Sequence, residues 1–212
     1  HEYIYKNIKG VISSDLDYHI PLKEEIKYLG MIPNPINLSK IKYNKLKIDG
    51  EIIIFHGINI KNSIKKGNNY FQKSMKIIKE LHGNKIKYIE VKNLNYNDYV
   101  KSYDSCHIFL DQVYAYDQGY NALEAMAKGK VVFTGAEKEW LDHYNLIEDS
   151  IAINALPETN YLVNKLTDLI NNPEKIESIS VNARKFIENH HDFKSIASIY
   201  EDKWLKALKN EK

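Results

Sequence analysis

The chain has 212 residues, with 30 lysines and arginines against 28 aspartates and glutamates and a formal net charge of +2. That length supports one well-buried core but not two full α/β domains, and the balanced charge excludes nucleic acid or an anionic membrane as the default partner. Arg184 is the lone arginine, so any phosphate clamp here must draw on ammonium groups and backbone N–H groups rather than guanidinium forks.

In chain order, Val11–Ser14 reads as a lone strand and 31–37 as an extended connector, because Pro33 and Pro35 each disfavour helix before them. Residues 1–38 are accordingly expected to be an exit strand and linker from a preceding domain. From there β-branched runs alternate with helical patterns, the signature of an α/β fold: a Rossmann-like open parallel sheet with helices on both faces. Strands are predicted at 51–55, 86–91, 107–111, 131–134 and 151–153, and helices at 69–81, 96–103, 121–128, 158–170 and 173–189. These place the main domain at 39–190. A closing helix falls within 191–212, where Phe193, Ile196, Ile199, Tyr200 and Trp204 form a helical stripe read as core. Part of that stripe and the Val11–Ser14 strand are expected to meet another domain.

The single cysteine, Cys106, begins an apolar run and reads as a buried strand residue without a disulfide partner, as in a reducing cytoplasm. No apolar stretch approaches the ~20 residues that span a bilayer, and no signal pattern opens the chain. The expected location is cytoplasmic, at most peripheral to a membrane. Dinucleotide and NTPase phosphate-loop fingerprints are both missing, which disfavours dehydrogenase and kinase readings. Asp15 and Asp17 have the spacing of a metal-binding carboxylate pair, but acidic residues after a strand more often serve turns. The adjacent His190 and His191 near a helix end read as a solvated turn rather than a zinc site. No metal and no cofactor are expected.

Ligands of an open parallel sheet bind beyond the carboxyl ends of its strands. Three loops there are unusual: 56–67, 112–121 and 135–137. In the second, Gly119 permits close backbone approach, and the N–H groups of Tyr120, Asn121 and Ala122 open a helix as an anion site. Glu124 is suited to accept hydrogen bonds from a ribose diol, although Asn121 and Glu124 are also spaced as a capping box, which explains them without a ligand. Lys61, Lys65 and Lys66 precede a helix, where cations oppose the dipole unless an anion offsets them; a solvated basic loop is the alternative.

The run His107 to Gln112 followed by Gly119-Tyr120-Asn121-Ala122-Leu123-Glu124-Ala125-Met126-Ala127-Lys128-Gly129 resembles the donor-site segment of GT-B glycosyltransferases, above all glycosyltransferase family 4. Ile32–Ile36 resembles that family's interdomain segment, Lys66-Gly67 its phosphate-binding pair, and the tail through Trp204 its closing helices. The resemblance implies the C-terminal, donor-binding half of a GT-B fold. It also implies sugar transfer, hexosyl or related, from a nucleoside diphosphate sugar, with retention of configuration and without a metal. By the same resemblance Lys66 meets the diphosphate and Glu124 holds the ribose, with Lys61 in place of a missing arginine. His56, Asp111, Gln112, Tyr116 and Asp117 are expected to shape the sugar pocket. Tyr116 stands where the family often has a glutamate, eight residues before Glu124. The acceptor, a glycan, lipid-linked or protein group, belongs to the other domain, as do most catalytic groups. Polysaccharide biosynthesis is the expected setting. A nucleotide-sugar epimerase of the same fold and a non-catalytic binding module are the alternatives.

Overall fold

The computed structural model describes residues 2–209. The chain opens with α1 (Glu2–Asn7), β1 (Val11–Ser13), α2 (Leu16–Leu22) and β2 (Tyr28–Met31), and β1 pairs in parallel with β2. The main sheet begins at β3 (Ile52–Ile58), followed by α3 (Ser63–Lys66), α4 (Asn68–His82), β4 (Ile86–Lys92), α5 (Tyr96–Ser102), β5 (Ile108–Leu110) and α6 (Tyr120–Ala127). It continues through β6 (Val131–Thr134), α7 (Lys138–Tyr144), β7 (Ile153–Asn154), α8 (Thr159–Asn171), α9 (Pro173–His190) and α10 (Phe193–Lys209).

Five strands run parallel in the order β4-β3-β5-β6-β7. The strands β5 and β6 are buried at every residue, because a parallel sheet carries helices on both faces and so favours continuous apolar runs. The pleat divides the core in two. Ile52, Ile54, Ile108, Leu110, Val131 and Phe133 meet Phe71, Met75 and Ile78 of α4 and Leu162 and Leu166 of α8. Phe55, Phe109 and Val132 face the opposite way, toward Tyr103, the alanines of α6, and Phe186 and Ile187 of α9. On that second face Phe55 and Phe109 stack at 5.4 Å between ring centroids, and Tyr103 meets Phe109 edge-on at 5.1 Å.

Several expectations change. The strand at 11–13 is not alone: Val11 and Ser13 pair with Tyr28 and Met31, in a partner strand that Gly30 (φ +100°) disguises in the sequence. The helices α1, α2, α3 and α7 were not expected. In α2, Asp15 caps the N-terminus by accepting from the Tyr18 N–H at 3.2 Å, so this acidic residue does serve turn chemistry. The extended segment is pinned to the α9–α10 junction, where the Ile36 N–H donates to the His191 carbonyl at 2.7 Å and the Phe193 N–H donates to the Ile36 carbonyl at 3.2 Å. His191 is therefore buried rather than solvated. Its Nδ1 lies 2.8 Å from the Asn34 carbonyl, and burial lowers its pKa to about 4. The stripe on α10 is core only at Ile196, since Trp204 is 58% exposed and packs against Tyr200 alone among the aromatic rings described.

The two ends of this packing scale should separate in denaturation. Phe109→Ala should cost about 3–5 kcal/mol, the usual range for an aromatic removed from a close-packed core. Trp204→Ala should stay within about 0.5 kcal/mol, as exposed substitutions do. Urea unfolding of both variants checks the contrast.

Candidate functional site

A cavity of about 680 Å³ opens at the carboxyl ends of β3 and β4. It is lined by 57–62, Lys66, Val91, Asn93, Leu94, Tyr96, Tyr99 and Asn121. Two asparagines shape its rim. Asn59 accepts from the Lys61 N–H at 3.1 Å, and Asn93, in left-handed backbone (φ 50°), accepts from the Ile60 N–H at 3.0 Å. These bonds fold 59–62 into a short 3-10 turn that presents the exposed Lys61 at the opening.

Lys66 ends α3, and Gly67 turns the chain into α4 with φ +65°. A side chain at Gly67 would be strained by that φ and would run into Val113. The Val113 N–H donates to the Lys66 carbonyl at 3.1 Å, and the Lys66 ammonium donates to Asp111 Oδ1 at 2.6 Å. Thr134 Oγ1 donates to the other Asp111 oxygen at 3.3 Å. The lysine is thus held at both ends by the loop that follows β5, and its side chain is 20% exposed beside an aspartate side chain that is 1% exposed. The simply solvated loop does not describe Lys66, whereas Lys61 and Lys65 are exposed.

Helix α6 starts one residue earlier than expected. Its N-cap is Gly119, and no side chain caps its first turn among the described residues. This removes the capping box, because Asn121 lies inside the helix and Glu124 falls just past its first turn. Glu124 instead accepts from the Tyr96 hydroxyl through both oxygens, at 3.0 and 3.2 Å. Glu124 and Tyr120 line a second hollow of about 660 Å³ with Lys40, Asp104 and Lys128, and Tyr96 belongs to the walls of both cavities. The structure therefore gathers Lys61, Lys66 and Asn121 in one cavity and sets Tyr120 and Glu124 across Tyr96 in the other.

Three residues expected in a sugar pocket are corrected to the interior. The two-residue period of β3 sends His56 to the same face as Ile52 and Ile54, beneath α4. There it is fully buried, with Nδ1 3.0 Å from the Tyr88 hydroxyl and Nε2 3.2 Å from Asn68 Oδ1, and burial lowers its pKa. Asp111 is buried on Lys66 and Thr134. Asp117 is 8% exposed and accepts from the Leu16 N–H at 2.9 Å. Burial first, then Asp15 and Asp17, raise its pKa to about 7 against the bond from Leu16. Carboxylate oxygens of Asp15, Asp17 and Asp117 lie within 4.8 Å of one another, a grouping across 100 residues of chain that spacing does not reveal. Gln112 is half-buried, and Tyr116 is 38% exposed with its N–H on Asp17. The residues missed in the sequence are Asn59, Asn93, Tyr96 and Tyr99. An asparagine directly follows each of β3 and β4, at the end where ligands bind, and the expected end of the first strand at 55 hid this at Asn59.

The model of the family described as glycosyl transferase-like matches residues 67–202. No curated protein matches the sequence. Sucrose-phosphate synthase from Thermosynechococcus elongatus superposes with a TM-score of 0.70 at 16% identity, over 97% of this chain and 60% of that one. The Rickettsia africae glycosyltransferase gives 0.69 at 16% identity, over 99% and 67%. Anabaena HepE, solved in complex with UDP, gives 0.68 at 15% identity, over 93% and 64%. The chain thus has the fold of the C-terminal half of GT-B glycosyltransferases, and it spans about 60% of the length of the first of these structures.

The raised pKa of Asp117 has a direct consequence for stability. A folded-state value near 7 against an unfolded value near 3.8 means that the penalty for burying the charge is absent while the group is protonated. The cost grows as pH rises from about 4 and is complete above about 7. Asp117→Asn, which keeps an oxygen for the Leu16 N–H, should stabilise the chain by about 2–4 kcal/mol at pH 8 and by little at pH 4. Melting curves across that range test the sign.

Proposed function

The chain belongs to the glycosyl transferase-like family, and from that premise we propose that it binds the donor of a glycosyltransferase, a nucleoside diphosphate sugar. The observation that carries this reading is the meeting of Lys61, Lys66 and Asn121, at the start of an uncapped α6, in one cavity beyond the carboxyl ends of the strands. Ammonium groups and free helical N–H groups together form an anion site. UDP bound to HepE and UDP-glucose in another complex of the same protein support this ligand class.

In transfer, the sugar becomes oxocarbenium-like as its diphosphate departs with growing negative charge. Lys66, Lys61 and the N-terminus of α6 would stabilise that charge as it develops. Glu124 would accept the ribose hydroxyls, in the place now taken by the Tyr96 hydroxyl. Lysines and a helix end suffice for this without a divalent ion, and we propose a metal-independent, retaining transfer. The acceptor, a glycan, lipid or protein group, would be bound by the remainder of a longer protein. Closure over the cavity would exclude water from the reacting centre. Hexosyl transfer in polysaccharide biosynthesis, by a cytoplasmic protein at most peripheral to a membrane, fits this picture. No helix among the described residues is long and apolar enough to cross a membrane.

Calorimetry with UDP and GDP tests the reading. One of them should bind equally well with and without a chelator, and more weakly as salt rises, because exposed ammonium–phosphate attraction is screened. Strict dependence on a divalent ion would count against the metal-free clamp. Glu124→Gln should weaken binding of that nucleotide by about 1 kcal/mol or more while the melting temperature barely moves. Undiminished affinity would remove Glu124 from the ribose site.

A further inference from the structure

Lys66 offers its charge to the cavity only in part, because a buried aspartate already holds it. Asp111 Oδ1 lies 2.6 Å from the Lys66 ammonium, and the aspartate side chain is 1% exposed. Water therefore screens this carboxylate poorly, and salt hardly reaches it. Any phosphate oxygen that Lys66 contacts is one ammonium group away from a fixed negative charge. An ammonium has three donors. One is directed at Asp111, so a ligand shares the lysine with Asp111 rather than displacing it.

We propose that Asp111 is a specificity-determining residue: through Lys66 it disfavours the free nucleoside diphosphate relative to the nucleoside diphosphate sugar. This inference rests on the donor-binding reading above. The two ligands differ in charge at the terminal phosphate. Attached to a sugar, that phosphate is doubly substituted, by the sugar ester and the diphosphate anhydride, and carries one negative charge; freed, it keeps only the anhydride and carries about 1.5 to 2 at neutral pH. A carboxylate one ammonium away repels the second more than the first. Asp111 thereby limits how tightly the chain holds its own product, while Lys66 remains poised for the donor. Thr134 Oγ1 on Oδ2 and the Asp111 N–H on the Phe133 carbonyl at 2.9 Å fix the carboxylate in place.

Asp111→Asn is close to isosteric and keeps an oxygen facing Lys66, so it removes the charge with little change of shape. Calorimetry would compare the wild-type chain, this variant, Lys66→Met and the double variant against UDP and UDP-glucose, with GDP and GDP-mannose in parallel. In Asp111→Asn the free diphosphate should bind about tenfold more tightly, and the sugar-bearing form should gain about threefold or less. In the Lys66→Met background the Asp111 substitution should no longer change the ratio of the two affinities. A residue that merely supports the fold would move the melting temperature and both affinities together. Equal gains for the two ligands, or a weaker hold on the diphosphate, would overturn the inference while leaving the donor site intact. Absence of binding of all four ligands to the wild-type chain would overturn the donor reading and this inference together. Asp111→Ser provides a second neutral variant, and failure of both variants to fold would show that the carboxylate serves the fold and overturn its assignment to specificity.

Discussion

A parallel sheet buried on both faces has one consequence on which the rest of this molecule depends. Its strands all end on the same side, so the loops that leave them must converge, and their backbone polar groups need partners that the sheet does not supply. Here β3, β4, β5 and β6 send the segments 59–66, 93–95, 111–119 and 135–137 to one edge. Those segments bond to one another: Asn93 to Ile60, Val113 to Lys66, Glu137 to Tyr116 and Gln118 to Gly135. The candidate site is made from the segments that satisfy this constraint.

Within it, the Lys66–Asp111 pair joins two loops 45 residues apart. A buried ion pair is poor evidence for stability, because the desolvation of both charges offsets most of their attraction. It is a good device for holding a long, flexible ammonium in one position, and Gly67 makes the close approach of the loops possible. The same geometry explains why Asp111 is not a wall of an open pocket. Its charge acts on the cavity through the lysine.

The pairing of Tyr96 with Glu124 is of another kind. Both belong to the surface, both border the second hollow, and the phenol is held by bonds that a ribose diol would have to replace or share. Such a contact exchanges readily, since exposed hydrogen bonds contribute little net free energy. The firmly fixed part of the site is the Lys66–Asp111 end, and the adjustable part is the Tyr96–Glu124 end.

The alternation of apolar strands and helices, the glycine before α6 and the run from Leu123 to Gly129 were enough to establish from sequence the α/β class, the order of the main elements and the family resemblance. These signals are local: the two-residue and 3.6-residue periods and a helix start are written within a few neighbouring residues. Element boundaries moved by one to three residues, and the one-residue shift at the start of α6 exchanged a capping box for an uncapped helix at Asn121. Only the tertiary structure decided which way His56 faces, that Asp111 is committed to Lys66, that Asp15, Asp17 and Asp117 share one corner, and that Tyr96 stands before Glu124. The physical reason is that each is a meeting of side chains from distant segments, set by strand order and register. A single sequence carries the periods that make the strands, but it does not display which loop ends lie side by side once the sheet has formed.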